Sequence, residues 1–238
     1  MSFIRSLVFN GLFYGWLLIL LLTSPLLMPF DRKVMRQGLK WWSRSAILIM
    51  KYGCGIDYKF VGLEKLPPGP VVVACKHQST WETFALYLIL EDPQYILKQE
   101  LMDLPLWGWY AGKSQHIAVD REAGSKALRT LVSETLDRVS LGRQVIIFPE
   151  GTRSDPGTRG RYHPGVAAMY KALPENVPMV PMALNSGRHW GRRKFWITPG
   201  TITLEVLDPI YPGMDRKVFM KLLEERIEDA STRLLSAD

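Results

Sequence analysis

The sequence predicts an α/β fold, a mostly parallel mixed sheet flanked by helices, with an N-terminal membrane-associated helical segment in front of it. Three observations carry this. From about Asp57, short runs rich in valine and isoleucine alternate with longer segments of helical period. Such alternation indicates a largely parallel sheet covered by helices. The first 52 residues differ in kind: an apolar run is followed by a basic amphipathic one. Finally, 238 residues of which 47% are hydrophobic suffice for one full core and an appendage. The expected units are residues 1–52, a pair of membrane-docking helices, and residues 53–238, one α/β domain.

Between Arg5 and Asp31 no residue is charged. Leu7 to Ser24 holds no proline and would make a helix about 27 Å long, close to the roughly 30 Å hydrocarbon core of a bilayer. Pro25 and Pro29 end or kink it. No A-x-A-like site follows, which argues against a cleaved leader. Next, Lys33–Tyr52 places Met35, Leu39, Trp42, Ala46, Ile49 and Met50 on one helical stripe, with Lys33, Arg36, Lys40, Arg44 and Lys51 beside and opposite it. A basic helix with tryptophans, directly after an apolar segment, is expected among the headgroups of an anionic bilayer rather than packed on the domain. Basic residues cluster after the apolar run and only Arg5 precedes it, so the bulk of the chain is expected on the cytoplasmic face of the membrane.

Seven strands are predicted, at Tyr58–Val61, Val71–Cys75, Tyr95–Lys98, His116–Val119, Val145–Phe148, Met179–Leu184 and Ile202–Val206. Four helices lie between and after them, at Thr80–Leu90, Ser125–Leu141, Pro164–Leu173 and Asp215 to about Leu235. Ser125 is placed to cap its helix and Gly142 to end it. His77 stands two residues past one strand and Glu150 two past another, where open α/β sheets carry their sites.

Composition and failed motifs exclude several classes. A net charge of +7 and a pI near 9.4 favour an anionic partner. Cys54 and Cys75 form no C-x-x-C pattern and no disulfide framework, so a reducing compartment is the default. "GWYAGKS" (Gly108–Ser114) is one residue short of a phosphate-binding P-loop. There is no G-x-S-x-G elbow, and four scattered histidines offer no zinc site. The basic run Arg188–Lys194 has no recognisable nucleic-acid module around it and reads as a solvated or lipid-facing loop.

Two stretches carry chemistry. In "KHQSTWE", Lys76–Glu82, the pair His77 and Glu82 fits a base and its orienting carboxylate, while Ser79-x-x-Glu82 fits a helix capping box. On this stretch alone both readings stand. In "FPEGTRS", Phe148–Ser154, Gly151 lets backbone approach a ligand and Arg153 offers a planar fork for phosphate, although an ordinary surface turn also fits.

Four blocks in order, "HQSTWE", "HIAVDRE", "FPEGTRS" and "VPMVPMALN", resemble the glycerolipid acyltransferases, specifically the bacterial 1-acyl-sn-glycerol-3-phosphate acyltransferases. The resemblance covers about residues 60–210, and F-P-E-G-T-R is its specific element. Position 82 is Glu where the general H-x4-D pattern has Asp. The resemblance implies transfer of a fatty acyl group from a thioester, acyl-CoA or acyl-carrier protein, to the sn-2 hydroxyl of lysophosphatidate. Glycerol-3-phosphate, another lysophospholipid or a lyso-aminolipid are alternative acceptors. It implies His77 as general base and Glu82 as its orienting partner. Arg121, Gly151, Thr152 and Arg153 fall at the acceptor phosphate. Glu150 falls there too, touching a glycerol hydroxyl or holding Arg153, and Pro181 falls in the acyl-donor region. No metal, organic cofactor or nucleic acid is implied. The partners are the phospholipid surface, the lysophosphatidate and an acyl-carrier protein, at a bacterial inner membrane. The reading of another class is a basic peripheral protein that binds anionic lipid without turnover and gives His77 no role. Residues five apart on a helix differ by about 140°, so His77 must precede the helix that holds Glu82. Glu82 is then expected to serve the histidine at the expense of the full capping box, with Ser79 or Thr80 left to cap the helix alone. Separately, backbone N–H groups near the helix start are expected to serve the thioester oxygen.

Overall fold

Val71–Cys75 (β2) is buried at every residue, as a central parallel strand covered on both faces must be. In the computed structural model, which describes residues 2–237, it lies in the middle of a seven-stranded sheet. The other strands are Ile56–Val61 (β1), Pro93–Lys98 (β3), Ile117–Val119 (β4), Gln144–Ile147 (β5), Met179–Leu184 (β6) and Gly200–Val206 (β7). Their order across the sheet is β1-β7-β6-β2-β5-β3-β4. Every pairing is parallel except β6 with β7, so the sheet is mixed and mostly parallel, as expected.

Helices cover both faces. Ser2–Thr23 (α1), Arg32–Cys54 (α2), Trp81–Ile89 (α3) and Trp107–Ser114 (α4) lie on one side, while Ser125–Ser140 (α5), Pro164–Ala172 (α6) and Arg216–Ser236 (α8) lie on the other. Ser186–His189 (α7) is a single turn after β6. β2 splits its residues by the two-residue period of a strand: Val71, Val73 and Cys75 face the first layer, Val72 and Ala74 the second. "GWYAGKS" is helix α4, with no phosphate loop. Ser125 is the first residue of α5 and makes no cap; Gly124 takes the N-cap position at φ 53.

The second helix corrects an expectation. The stripe Met35, Leu39, Trp42, Ala46 and Met50 is buried in the same core as the sheet, so α2 is packed on the domain and its apolar face is not free for lipid. Two of its cations are also engaged. Arg36 pairs with Asp92 at 3.0 Å and Lys51 with Asp57 at 2.8 Å. Gly55, at φ 71, caps α2 in the left-handed conformation glycine takes freely, and β1 follows at once. The boundary at residues 52 and 53 is thus not a break in the packing. The first helix differs. Phe9 and Phe13 pack on Trp190, Phe84 and Trp42, but only 17% of its most apolar stretch is buried. Leu7, Leu12, Leu18 and Leu22 stand exposed on its outer side. α1 is long and apolar enough to cross a membrane by length and composition, and this face is compatible with membrane association.

One buried and one half-buried group tie stability to pH. His116 lies under the sheet edge, its Nδ1 accepting from Tyr95 N–H at 3.3 Å and its Nε2–H donating to Tyr87 Oη at 3.2 Å. Burial, helped by the charge of Arg32, pushes its pKa from 6.5 down to about 3. Asp92 receives Arg32, Arg36 and Arg143. Burial raises its pKa, but the Arg32 hydrogen bond and the three cations outweigh this and hold it below the ordinary 3.8. Both shifts are depressions, so both contributions are full above the unfolded-state pKa and fade on acidification. The unfolding free energy should therefore fall as pH drops from about 6.5 to about 4, by an amount on the order of 3 kcal/mol for His116, and the thermal midpoint should fall with it. His116→Asn should be less stable at neutral pH but show a shallower slope in a calorimetric pH series. An unchanged slope would refute the assignment.

Candidate active site

The sheet brings the distant blocks together by register. β2 and β5 are parallel neighbours with Ala74 opposite Ile147, so His77 and Glu150, each three residues further on, leave the sheet at the same level. β6 flanks β2 on its other side with Cys75 opposite Met182, which brings Ser186 level with Ser79. Arg121 follows the end of β4. All of these lie past the carboxyl ends of their strands, the usual site position in an open α/β sheet.

His77 is held on every side. Its Nδ1 lies 3.0 Å from Glu82 Oε1, a bond that places the proton on Nδ1 and leaves the Nε2 lone pair free. Its ring stacks on Phe148, with centroids 3.9 Å apart and planes 15° from parallel. The "FPEGTRS" turn grips its backbone: His77 N–H donates to Glu150 Oε2 at 3.3 Å, and Ser154 N–H donates to the His77 carbonyl at 2.8 Å.

Glu82, in the first turn of α3, is fully buried. Besides the imidazole, its Oε1 accepts from Gln78 N–H at 2.6 Å and Ser79 N–H at 2.7 Å, and its Oε2 accepts from Ser186 Oγ at 2.9 Å. Ser79 Oγ in turn accepts from Trp81 N–H at 3.1 Å. The expected conflict between cap and pair does not arise. One carboxylate does both, because its oxygens have lone pairs enough for four donors. The N–H groups of Gln78, Ser79 and Trp81 at the helix start are committed, which narrows the donors there that could serve a thioester oxygen.

His77 opens into a cavity of about 940 Å³ that runs between α1, α2, α3 and α4 and on toward α5 and α6. Its walls are mainly apolar, with Phe13, Leu17 and Leu20 of α1 and Trp42 of α2 among them. Its charged lining residues, among those described, are Lys98, Arg121, Arg153, Arg192 and Arg193; no aspartate or glutamate lines it. Arg153 donates to Thr80 Oγ1 at 2.9 Å and Arg121 to the Gly151 carbonyl at 2.8 Å. Gly151 has φ 65, and a Cβ there would meet the His163 ring at 2.9 Å and Arg121 at 3.0 Å, so only glycine fits between these two side chains. Thr152 also lines the cavity.

Two predicted site residues lie elsewhere. Glu150 is buried and turned away from the cavity. Its Oε1 accepts from Lys76 Nζ at 2.7 Å, and the same ammonium donates to Glu228 of α8 at 2.8 Å and to the Thr158 carbonyl at 3.1 Å. Tyr162 donates to Glu228 at 3.0 Å. Glu150 thus neither meets the cavity nor holds Arg153; it braces the His77 backbone from behind. Pro181 is buried inside β6, opposite Ala74, and is part of the sheet core. What the end of that block contributes is Ser186. The sequence signalled none of Lys76, Ser186, Phe148 or Glu228. Arg192 and Arg193 were visible only as a basic run.

Chemically, the arrangement offers an oriented imidazole with a free nitrogen at the edge of an apolar, cation-lined cavity, with no nucleophile beside it. Burial, followed by the charges of Glu82 and Glu150, pushes the nearby Cys75 thiol well above its ordinary pKa, so no thiolate forms there. Such a base can activate a hydroxyl for attack on an electrophile brought in with it.

The acyltransferase family model matches residues 57–185, from β1 to the end of β6 and beyond. The chain belongs to the acyltransferase family. It is 38% identical over 165 residues to the 1-acyl-sn-glycerol-3-phosphate acyltransferase of Pseudomonas aeruginosa, across 69% of the chain and 63% of that relative. It is 28% identical over 180 residues to the Saccharomyces cerevisiae protein of the same name, across 74% of the chain and 59% of the relative. The matches thus span about three fifths of the length of these relatives. In fold, it is similar to the crystal structure of the 1-acyl-sn-glycerophosphate (LPA) acyltransferase PlsC from Thermotoga maritima, with TM-score 0.80, 20% identity and 98% of both chains covered.

The Lys76 cluster makes a prediction. Two carboxylates share one ammonium in a dry interior, and removing the cation leaves them facing each other. Lys76→Met should cost about 3–5 kcal/mol of stability, read in thermal or denaturant unfolding, while His77→Ala at the cavity edge should cost far less. Equal stability of Lys76→Met and wild type would show that the cluster does not hold the site.

Proposed function

We propose that the chain transfers a fatty acyl group from a thioester, acyl-CoA or acyl-carrier protein, to the sn-2 hydroxyl of 1-acyl-glycerol-3-phosphate, giving phosphatidate for phospholipid synthesis. One observation carries the reading. The free nitrogen of a carboxylate-oriented histidine opens into an apolar cavity whose charged lining residues are all cations. An acceptor with a long chain and a phosphate monoester matches both properties. The names of the relatives in Pseudomonas aeruginosa and Saccharomyces cerevisiae support it.

In this mechanism His77 Nε2 takes the proton of the acceptor hydroxyl as its oxygen attacks the thioester carbon. Glu82 keeps the ring in the tautomer that can accept and stabilises the imidazolium that forms. The tetrahedral intermediate collapses, the C–S bond breaks, and the imidazolium returns the proton to the departing thiolate. Positioned base catalysis of this kind contributes about 10²–10⁴-fold. Arg153 and Arg121, with Gly151 and Thr152 of the same turn, hold the acceptor phosphate, and the apolar walls take the acyl chains. The exposed face of α1 lies in the bilayer at the cytoplasmic side, so that acceptor and product stay in lipid.

The test is an assay of the purified full chain with lysophosphatidate, other lysophospholipids and both donor types. Phosphatidate should form. His77→Ala should lose about 10²-fold or more of kcat with little change in thermal midpoint, and lipid binding should persist. Activity of the variant within tenfold of wild type would remove the base, and lipid binding without turnover by wild type would favour the non-catalytic reading. Arg153→Lys keeps the charge but loses the bidentate fork, and should impair lysophosphatidate use more than use of an acceptor without the monoester. Equal losses on both acceptors would make Arg153 a loop brace.

A further inference from the structure

The loop between α7 and β7 holds two cavity cations that the reading above leaves without a task. Arg192 and Arg193 both line the cavity into which His77 opens. Arg192 Nη1 donates to the Arg153 carbonyl at 3.2 Å, fastening the inner side of the loop to the "FPEGTRS" turn. The outer side is fastened to α1. Asn10 Nδ2 donates to the Phe195 carbonyl at 3.2 Å, and Ile197 N–H donates to Ser6 Oγ at 3.1 Å. Phe195 and Trp196 pack on Phe3 and are themselves exposed. The loop therefore joins the "FPEGTRS" turn to α1, with arginines on the cavity side and aromatic rings on the α1 side.

Arg193 makes no hydrogen bond or ion pair among the described residues, and its backbone sits at φ 54, where arginine is strained and glycine is not. A strained, exposed, unengaged cation at the edge of an apolar cavity fits a ligand better than it fits the fold. The charge balance agrees. A phosphate monoester carries about −1.5 to −2 at neutral pH, while the cavity presents five cations and no carboxylate. Arg121 and Arg153 each spend a donor on the protein; Arg193 spends none.

We propose that Arg192 and Arg193 form a reception site for the phosphate monoester of a lysolipid acceptor, at the mouth of the cavity beside α1. The acceptor enters with its chain along α1 and its phosphate on this pair, then passes to Arg153 and Arg121 next to His77. The proposal rests on the acyltransferase reading for its substrate, and on the placement of these two side chains for its site. Its chemistry selects a monoester over a neutral or zwitterionic headgroup, because a monoester offers two guanidinium groups three terminal oxygens and a charge of about −1.5 to −2, where a diester offers two oxygens and a single charge.

The experiment uses the full-length protein in detergent micelles of fixed surface concentration, with Arg193→Gly, Arg192→Gln and the double variant. Glycine at 193 removes the cation and relieves the backbone, so the thermal midpoint of Arg193→Gly should hold or rise. Its KM for lysophosphatidate should climb, and the double variant should show a rise of about tenfold or more, with the donor KM unchanged within twofold. A rise in the donor KM alone would assign the pair to a phosphate of the donor and overturn the proposal. Loss of binding to anionic vesicles with the micellar acceptor KM unchanged would make the loop a general membrane anchor and overturn it as well. If wild type transfers no acyl group to lysophosphatidate, the acyltransferase reading fails separately. Calorimetric titration with lysophosphatidate then decides this site: weaker binding by the double variant upholds it, and equal binding overturns it.

Discussion

A fully buried carboxylate has to be given donors, and satisfying Glu82 fixes most of what surrounds it. Leaving such a group short of partners in a dry interior costs several kcal/mol. The chain meets this with two backbone N–H groups from the turn before α3, a hydroxyl from the turn after β6 and an imidazole. Each partner is thereby positioned. The Gln78–Ser79 backbone must curl over the carboxylate, which starts α3. Ser186 must stand beside it, which fixes how β6 ends. His77 must present Nδ1 inward, which turns Nε2 toward the cavity. The same contacts that cap the helix set the tautomer of the base.

Charge is sorted around that centre. Carboxylates near the site are turned inward: Glu82 to its donors, Glu150 and Glu228 to Lys76. Lys76 apart, the cations near the site are turned to the cavity. With no carboxylate on its walls to offset them, an anionic group entering the cavity meets an attractive field, strengthened by the apolar surface around it. The buried side is as important as the open one. Through Glu150 and Ser154 the "FPEGTRS" turn holds the backbone N–H and carbonyl of His77, so this turn and His77 move as one piece. In the proposed reaction this links acceptor specificity to catalysis mechanically, since binding energy at a phosphate would align the hydroxyl with Nε2.

Much of the fold was legible because a central parallel sheet leaves a plain trace: "VVVAC", "VIIF" and "MVPMAL" are continuous apolar runs, and all seven strands were placed within a few residues. His77, Gly151 and Arg153 could be singled out because short polar motifs past strand ends are local, whereas Arg121 and Thr152 came only from the resemblance of their blocks. What was not legible depends on contacts across the sheet. Glu150 sits in the same turn as Arg153, and nothing local says that its side chain points the opposite way, toward a lysine 74 positions earlier and a glutamate on the last helix. Pro181 was one step of reasoning from Ser186: the block is a buried strand, and only the residue past its end can reach a site. The amphipathic helix α2 misled for a similar reason. A stripe of Met, Leu and Trp has the same period whether it faces lipid or protein, and only packing against α3 and the sheet decides.

The central claim is that Glu82 sets His77 as a neutral imidazole with its proton on Nδ1 and Nε2 open to the cavity. Nitrogen-15 correlation spectra of the histidine-labelled full chain in micelles test it directly, with His77→Gln identifying the signal. The account predicts a His77 ring whose Nδ1 is protonated and whose Nε2 is not at pH values where the ring is neutral, with the Nδ1 proton shifted and more slowly exchanging than in Glu82→Gln. A ring protonated on Nε2, or one whose tautomer mixture is the same in wild type and Glu82→Gln, would contradict it.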